Sequence, residues 1–416
     1  MRRERTAGEV KMIKLDIERI KELEKEYGLP LYLFNRDEFI QNYRELENTF
    51  CAVYPKYRIC YSYKTNYTPA ICRLVKEMGG YAEVVSDMEY ELAVRLGYTA
   101  GQIVYNGPMK GQRLEKHILE GGINNLDRME EVMRLCSLAG KYPDRKLQTG
   151  IRVNFDIDAG YISRFGFDTH DVGHVIQILR ENNIRVSGLH CHMSRARGIA
   201  AWNKRVLTML SLVRGYGLDD LDYISLGSGM SGKMDPELMA QFDSVATYED
   251  YRDAVVKPFA LFYADKGNHP ELLTEPGTTV VSKYVDFIAR VEGIKTVRGK
   301  QFVLCNCSFH NLGETCQMKN LPMRVMPETE CRERVKVTNA DLVGYTCLEQ
   351  DVLFRGYTGE ISIGDYVEFG NVGGYSLVEK PPFIQPDCPM VELSEGAHRM
   401  IKRQENWSDI FNTFVI

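Results

Sequence analysis

Lys64, in Tyr61-Ser62-Tyr63-Lys64-Thr65-Asn66, stands where an aromatic, β-favouring run gives way to a stretch with helical spacing of its apolar residues, Pro69 to Gly79. An amine at the C-terminal end of a buried strand is partly desolvated. It loses some preference for the charged form and can attack an aldehyde. Taken alone, such a lysine is an ordinary surface residue; its weight comes from what stands at the later strand ends. Those ends carry Ser86, Asn106, Asn154, His190 with His192, Gly227 to Gly229, and Glu275. The loop Gly227-Ser228-Gly229-Met230-Ser231-Gly232 can bring backbone N–H groups close to a phosphate, the ordinary alternative being a plain strand-to-loop turn. Glu275, in Thr274-Glu275-Pro276-Gly277, could hold a pyridine nitrogen protonated so that the ring acts as an electron sink; otherwise it is a cap or a surface acid. One of His190 and His192 could stack on a flat ring, although a histidine on a buried strand is more often hydrogen-bonded in the core. The pair could also hold a metal, but no acid stands at a suitable spacing, so no metal site is expected. An amine, an aromatic base, a glycine loop and a carboxylate are the four kinds of group that a phosphate-bearing aldehyde needs.

The elements that must position these groups alternate. Strands are expected at 57–64, 81–86, 103–107, 123–127, 149–154, 186–192, 222–227 and 271–276, with helices between them at 87–96, 128–139, 169–182, 200–214 and 248–265. This is α/β architecture, and eight such strands fit a closed (β/α)8 barrel. An open doubly wound sheet would carry a glycine-rich turn after its first strand, where this chain has Lys64. After Gly277 the texture becomes β-rich, at 279–297, 300–305, 334–346, 350–355 and 365–370. A barrel over 36–278 is therefore expected, followed by a C-terminal all-β domain of 279–416 that residues 1–35 join. Residues 11–28 have the pattern of an amphipathic helix, ended by Gly28-Leu29-Pro30, and Leu31 to Asn35 that of a strand. A helix is the expectation for the end of the chain, near Trp407.

A formal charge of −5 over 416 residues gives no electrostatic case for nucleic acid or an acidic membrane surface. The charged start has no apolar run behind it, and no stretch reaches the roughly 18 apolar residues of a membrane span. Eleven cysteines at irregular spacing suit reduced thiols in the cytoplasm, and Cys305 with Cys307 lacks a second pair for zinc.

These stretches resemble the barrel-type (fold type III) pyridoxal-phosphate decarboxylases that include the diaminopimelate and ornithine decarboxylases. The matching segments are Tyr61 to Asn66, Gly188 to Ser194, Leu226 to Gly229, Glu275-Pro276-Gly277, Tyr345-Thr346-Cys347 with Asp351, and Gly373-Gly374-Tyr375. The resemblance implies pyridoxal 5'-phosphate as cofactor, with Lys64 capturing its aldehyde, His192 stacked on its ring and Glu275 at the pyridine nitrogen. Gly227, Ser228, Gly229 and Tyr375 would serve the phosphate, and Arg152 and Arg164 would support the cofactor face. It also implies a homodimer with shared sites, in which Cys347 comes from the second subunit and helps protonate the product.

The departures concern the phosphate and the substrate. Where the family places an arginine after Glu-Pro-Gly, this chain has Thr278; where it has Gly-Ser after the stacking histidine and its neighbour, this chain has Ser194-Arg195. Arg195 or Arg197 is the expected replacement cation. The residue after the catalytic cysteine is usually acidic, and here it is Leu348, which lowers the case for a distal ammonium on the substrate. Arg324 could bind a distal carboxylate, with a surface role as its alternative. The expectation is an α-decarboxylase of an amino acid or a conjugate, tethered to a carrier or citryl-like, in specialised or siderophore-like biosynthesis. A diaminopimelate decarboxylase of primary metabolism, an amino-acid racemase and a non-catalytic homologue are its alternatives. Glu275 argues against the racemase, which resembles enzymes with an arginine at the ring nitrogen; Lys64 and Cys347 argue against the non-catalytic role.

Overall fold

The computed structural model describes residues 15–329 and 334–415 and divides them into two compact units. The first comprises Arg44–Lys233 and Phe242–Val280; the second takes the other described residues.

The first unit is a closed barrel. Its strands are β2 (Tyr57–Ser62), β3 (Tyr81–Val84), β4 (Ile103–Tyr105), β5 (Ile123–Leu126), β6 (Gln148–Asn154), β8 (Arg185–His190), β9 (Tyr223–Ser225) and β10 (Glu271–Thr274), after β1 (Leu31–Asn35) of the other unit. All eight pair in parallel, from β2 through β10, β9, β8, β6, β5, β4 and β3 and back to β2. A two-residue strand, β7 (Phe167–Asp168), sits beside β6. Helical crossovers cover the strands outside and side chains fill them inside, so strands such as Tyr57-Arg-Ile-Cys-Tyr-Ser62 are buried along nearly their whole length. The Tyr223 ring crosses the interior to donate its hydroxyl proton to Asn125 Oδ1 at 2.8 Å. Glycine is required opposite it: a Cβ on Gly188 would lie 2.2 Å from the ring, and one on Gly150 2.1 Å from the hydroxyl.

The second unit is a sheet of nine strands. β1 is joined by β11 (Val285–Val297), β12 (Lys300–Cys305), β13 (Met323–Met326), β14 (Val335–Val343), β15 (Val352–Ile361), β16 (Tyr366–Phe369), β17 (Met390–Ser394) and β18 (Ala397–Lys402). The path runs β15-β14-β12-β11-β1-β17-β18, and β16 pairs with both β11 and β13.

Several local expectations need correction. The β-run after Gly277 starts at Val285, because Thr278–Val281 and Ser282–Tyr284 are helical turns. The stretch 248–265 is broken by a π-turn at Arg252–Val256, ahead of Pro258, which has no N–H to continue the ladder. Helices at Arg36–Cys51 and Arg113–Leu119 were not anticipated, nor was the hairpin of β17 and β18; only Trp407–Phe411 near the end is helical. The opening helix is Ile17–Tyr27, capped by Asp16, and residues 11–14 of that expectation lie outside the described residues. Among the described residues no helix is long and apolar enough to cross a membrane.

Candidate active site

The C-terminal rim of the barrel gathers a connected set of charged and polar side chains. Lys64 lies on a single 3-10 turn, Tyr63–Thr65, directly after β2. Its Nζ donates to Glu83 Oε2 at 2.6 Å and to Ser62 Oγ at 2.7 Å. Glu83 is on β3 and is 1% exposed, so a full carboxylate inside the barrel is neutralised by an amine that keeps part of its surface in water. The amide of Asn106, just past β4, then spans two acids: Nδ2 donates to Glu83 Oε1 at 3.1 Å and to Glu275 Oε1 at 3.0 Å. Its Oδ1 accepts from Asn125 at 2.8 Å, which fixes the amide's orientation. Lys64 and Glu275 are thus joined through one acid and one amide.

Glu275, just past β10, is buried and accepts from Ser225 Oγ at 2.8 Å and from His190 Nε2 at 3.1 Å. Burial alone would push its carboxyl up. His190, assisted by Lys64, outweighs that and holds it well below the usual carboxylate range. A carboxylate only accepts, so the His190 proton sits on Nε2. His190 therefore orients Glu275.

His192 stands two residues on, and its Nδ1 accepts the Ser228 backbone N–H at 3.0 Å. Desolvation, followed by the charges of Lys64 and Arg152, keeps the imidazole well below its ordinary value and therefore neutral, as the acceptor role requires. Gly227 adopts φ +62°, and a Cβ there would lie 2.5 Å from the Cys191 carbonyl and 2.7 Å from His192 Cβ. Only glycine lets the loop fold over that histidine. Gly229 also has positive φ, and its carbonyl accepts from Trp202 Nε1 at 3.4 Å.

Arg152, on β6, donates to Asp127 at 3.1 Å and to the His192 carbonyl at 3.4 Å, and Phe165 lies 4.7 Å below its guanidinium. Arg164 caps the same ring at 4.1 Å. Of the cations expected to replace the arginine absent at Thr278, Arg197 donates to the Met230 carbonyl at 3.0 Å, whereas Arg195 is exposed with φ +73°. Ser194 is exposed, and its carbonyl accepts from Tyr161.

Two residues of this unit carry no role from their spacing. Glu83 was readable as an acid inside an apolar strand, Tyr81-Ala-Glu-Val84. Arg205 was readable as a cation on the buried stripe of the helix Ile199–Tyr216, with Trp202, Val206, Met209 and Val213.

The remaining candidates belong to the sheet unit. Cys347 is exposed, while the other nine described cysteines are buried or half-buried. Its loop is fixed by Asp351, which accepts from Thr346 N at 3.0 Å, Thr346 Oγ1 at 2.6 Å and Phe309 N at 2.8 Å. Leu348 N–H donates to Thr346 Oγ1 at 3.3 Å, so Leu348 is held by the same turn. Tyr375 is half-buried at φ +55° after the glycine pair. Arg324, on β13, donates to Glu368 Oε2 at 2.8 Å and to the Leu15 carbonyl at 2.8 Å. Those bonds tie it into the sheet. Among the described residues no group of three or more His, Cys, Asp or Glu side chains could hold a metal.

The barrel rim suits an aldehyde-bearing pyridine phosphate on its own chemistry. It offers one amine, one carboxylate held ionised, one neutral imidazole on a folded glycine loop, and a cradle at Gly227 that any Cβ would fill.

Comparisons with known proteins agree. The model of the pyridoxal-dependent decarboxylase, pyridoxal binding domain, matches residues 37–282, and that of the C-terminal sheet domain of the same decarboxylases matches 278–373. A diaminopimelate decarboxylase of Aquifex aeolicus is 26% identical over 411 residues, covering 94% of this chain and 93% of the relative. The diaminopimelate decarboxylase of M. jannaschii in complex with L-lysine superposes with a TM-score of 0.80 at 21% identity, over 95% of this chain and 94% of that one. The Helicobacter pylori diaminopimelate decarboxylase complexed with L-lysine gives 0.80 at 21%, over 95% and 98%.

Proposed function

The chain belongs to the pyridoxal-dependent decarboxylases, and within that family we propose that it removes the α-carboxylate of a diamino dicarboxylic acid of the diaminopimelate class. Its cofactor is pyridoxal phosphate and its chemistry that of an amino-acid carboxy-lyase. What supports the substrate class is that relatives named diaminopimelate decarboxylases align along 94% of the chain. The observation that carries the reaction is the chain of contacts Lys64–Glu83–Asn106–Glu275, with Glu275 held ionised inside the barrel.

When bound, the cofactor supplies an aldehyde for the substrate amine and a ring that accepts the electron pair left at Cα. The residues of this chain do the rest. Lys64 would be the amine that holds the cofactor, and Glu83 takes the charge of the lysine when no cofactor is joined to it. Glu275, aimed by His190, Ser225 and Asn106, would pair with the ring nitrogen and keep a proton there. His192, neutral and fixed by the Ser228 N–H, would stack on the ring face. Gly227, Ser228 and Gly229 would hold the phosphate. Cys347, on a loop braced by Asp351, would supply the proton to Cα in a homodimer where each subunit would serve the other's site; its exposure among otherwise sheltered thiols supports that role.

One observation favours a second reading. Leu348 follows Cys347, and Arg324 is engaged by Glu368, so neither offers an open charge to the far end of a diamino acid. An acylated or citryl-type conjugate in specialised biosynthesis would suit such a pocket.

Carbon dioxide release by the holoenzyme is the test. The panel is meso-diaminopimelate, L-lysine, L-ornithine, L-arginine and citryl or acyl conjugates of diamino acids. Highest kcat/KM on diaminopimelate upholds the main reading. Turnover confined to conjugates moves the assignment to the second, and loss of optical rotation without carbon dioxide would defeat both.

A further inference from the structure

The helix Ile199–Tyr216 buries a cation that no carboxylate among the described residues answers. Arg205 is 0% exposed. Among the described residues its guanidinium donates only to main-chain carbonyls: Ser228 at 2.7 Å and Leu226 at 3.5 Å from Nη1, Met193 at 2.5 Å and Ala196 at 3.2 Å from Nη2. Its face lies 4.5 Å from the Trp202 ring, and its Nε, although buried, has no partner among the described residues. Four carbonyl dipoles spread the charge but do not neutralise it, and a buried ion without a counter-ion is costly. The acceptors come from two loops only, 193–196 after the stacking histidine and 226–228 before Gly229. A Cβ on Gly229 would lie 3.7 Å from Nη2, so the glycine loop wraps the guanidinium closely. Of the loop's N–H groups, Gly227 donates to Ser225 Oγ at 3.3 Å, Ser228 to His192 Nδ1 at 3.0 Å and Ser231 to the Tyr251 hydroxyl at 2.8 Å. Among the described residues this leaves those of Gly229, Met230 and Gly232 as donors for an anion, while the Leu226 and Ser228 carbonyls are turned to Arg205.

We propose that Arg205 is the fixed cation of the phosphate end of the site. It joins the two loops, turns their carbonyls inward, and has its charge balanced when the cofactor's phosphate dianion settles on the loop. Arg205 thus fills the electrostatic role left open at Thr278, from behind the loop and without contacting the phosphate, as a positioning residue. The inference rests on the reading that the glycine loop takes the phosphate.

Titration of the apoprotein with pyridoxal phosphate and with pyridoxal, which lacks the phosphate, separates charge from bracing. Wild type binds pyridoxal phosphate far more tightly than pyridoxal; if it does not, the phosphate assignment itself fails. Arg205→Met should lose about thirtyfold or more in affinity for pyridoxal phosphate while pyridoxal affinity changes less than about threefold. Inorganic phosphate should raise the melting temperature of wild-type apoprotein and not that of the variant. Arg205→Lys keeps the charge with fewer donors, so it should lower the melting temperature yet preserve most of the preference for the phosphorylated ligand. It carries the comparison if the methionine variant does not fold. Equal losses for both ligands, unchanged affinities, or a lysine variant that loses the preference would each overturn the proposal.

Discussion

Asn106→Ala removes the amide that stands between two buried carboxylates. Glu83 Oε1 loses its donor at 3.1 Å and Glu275 Oε1 one of its two, at 3.0 Å. The Asn125 amide loses its acceptor at 2.8 Å. A hydrogen bond to a charged group contributes roughly 1.5–3 kcal/mol, and the two would total about 3–6 kcal/mol. Water entering the space left by the side chain returns part of this, so a net loss of about 3 kcal/mol is expected, or about 6–12 °C in the melting temperature of a unit this size. Scanning calorimetry of the apoprotein measures it. Asn106→Asp sharpens the test. A third carboxyl between two others has its pKa raised, so the variant's stability is highest below the ordinary aspartate value and falls as pH rises through the folded one. The aspartate variant should therefore be close to the alanine variant at pH 5 and clearly weaker at pH 8. A shift below about 1 °C for Asn106→Ala, or an aspartate variant indifferent to pH, would refute the bridging role.

Gly227→Ala forces a side chain onto a φ of +62° and against Cys191 and His192, so it should cost about 1–2 kcal/mol in backbone strain alone and abolish retention of cofactor on dialysis; a yellow, dialysis-stable variant would contradict the cradle. Lys64→Met should bind the cofactor without a bond that borohydride fixes, and mass spectrometry of the reduced protein checks this. Burial raises Glu89 from 4.5 to about 7, against the opposing Val85 N–H, so its folded pKa lies above its unfolded one. Stability from this group is full below pH 4.5 and falls by about 3 kcal/mol as pH rises through 7, a loss that Glu89→Gln should remove in melting curves at pH 5 and 8.

The sequence by itself determined the barrel and the places of its chemistry. Eight buried, β-rich runs separated by helical spacing admit few other solutions, and the residue after each run falls on one rim because parallel strands all end there. Lys64, His190, His192, Gly227 and Glu275 could be placed on one rim for that reason. Only tertiary structure decided which groups pair. Spacing made His190 and His192 equivalent, yet one takes the carboxylate and the other the Ser228 N–H, because one ends β8 inside the barrel and the other follows it on the loop. The Lys64–Glu83 pair and the Asn106 bridge join strands 19 and 169 positions apart in the chain, a closeness that strand order alone creates. Arg205 is one more cation in a helix until two distant loops turn their carbonyls to it. Local pattern sets which face of an element is buried; what meets it there is fixed by the closure of the sheet.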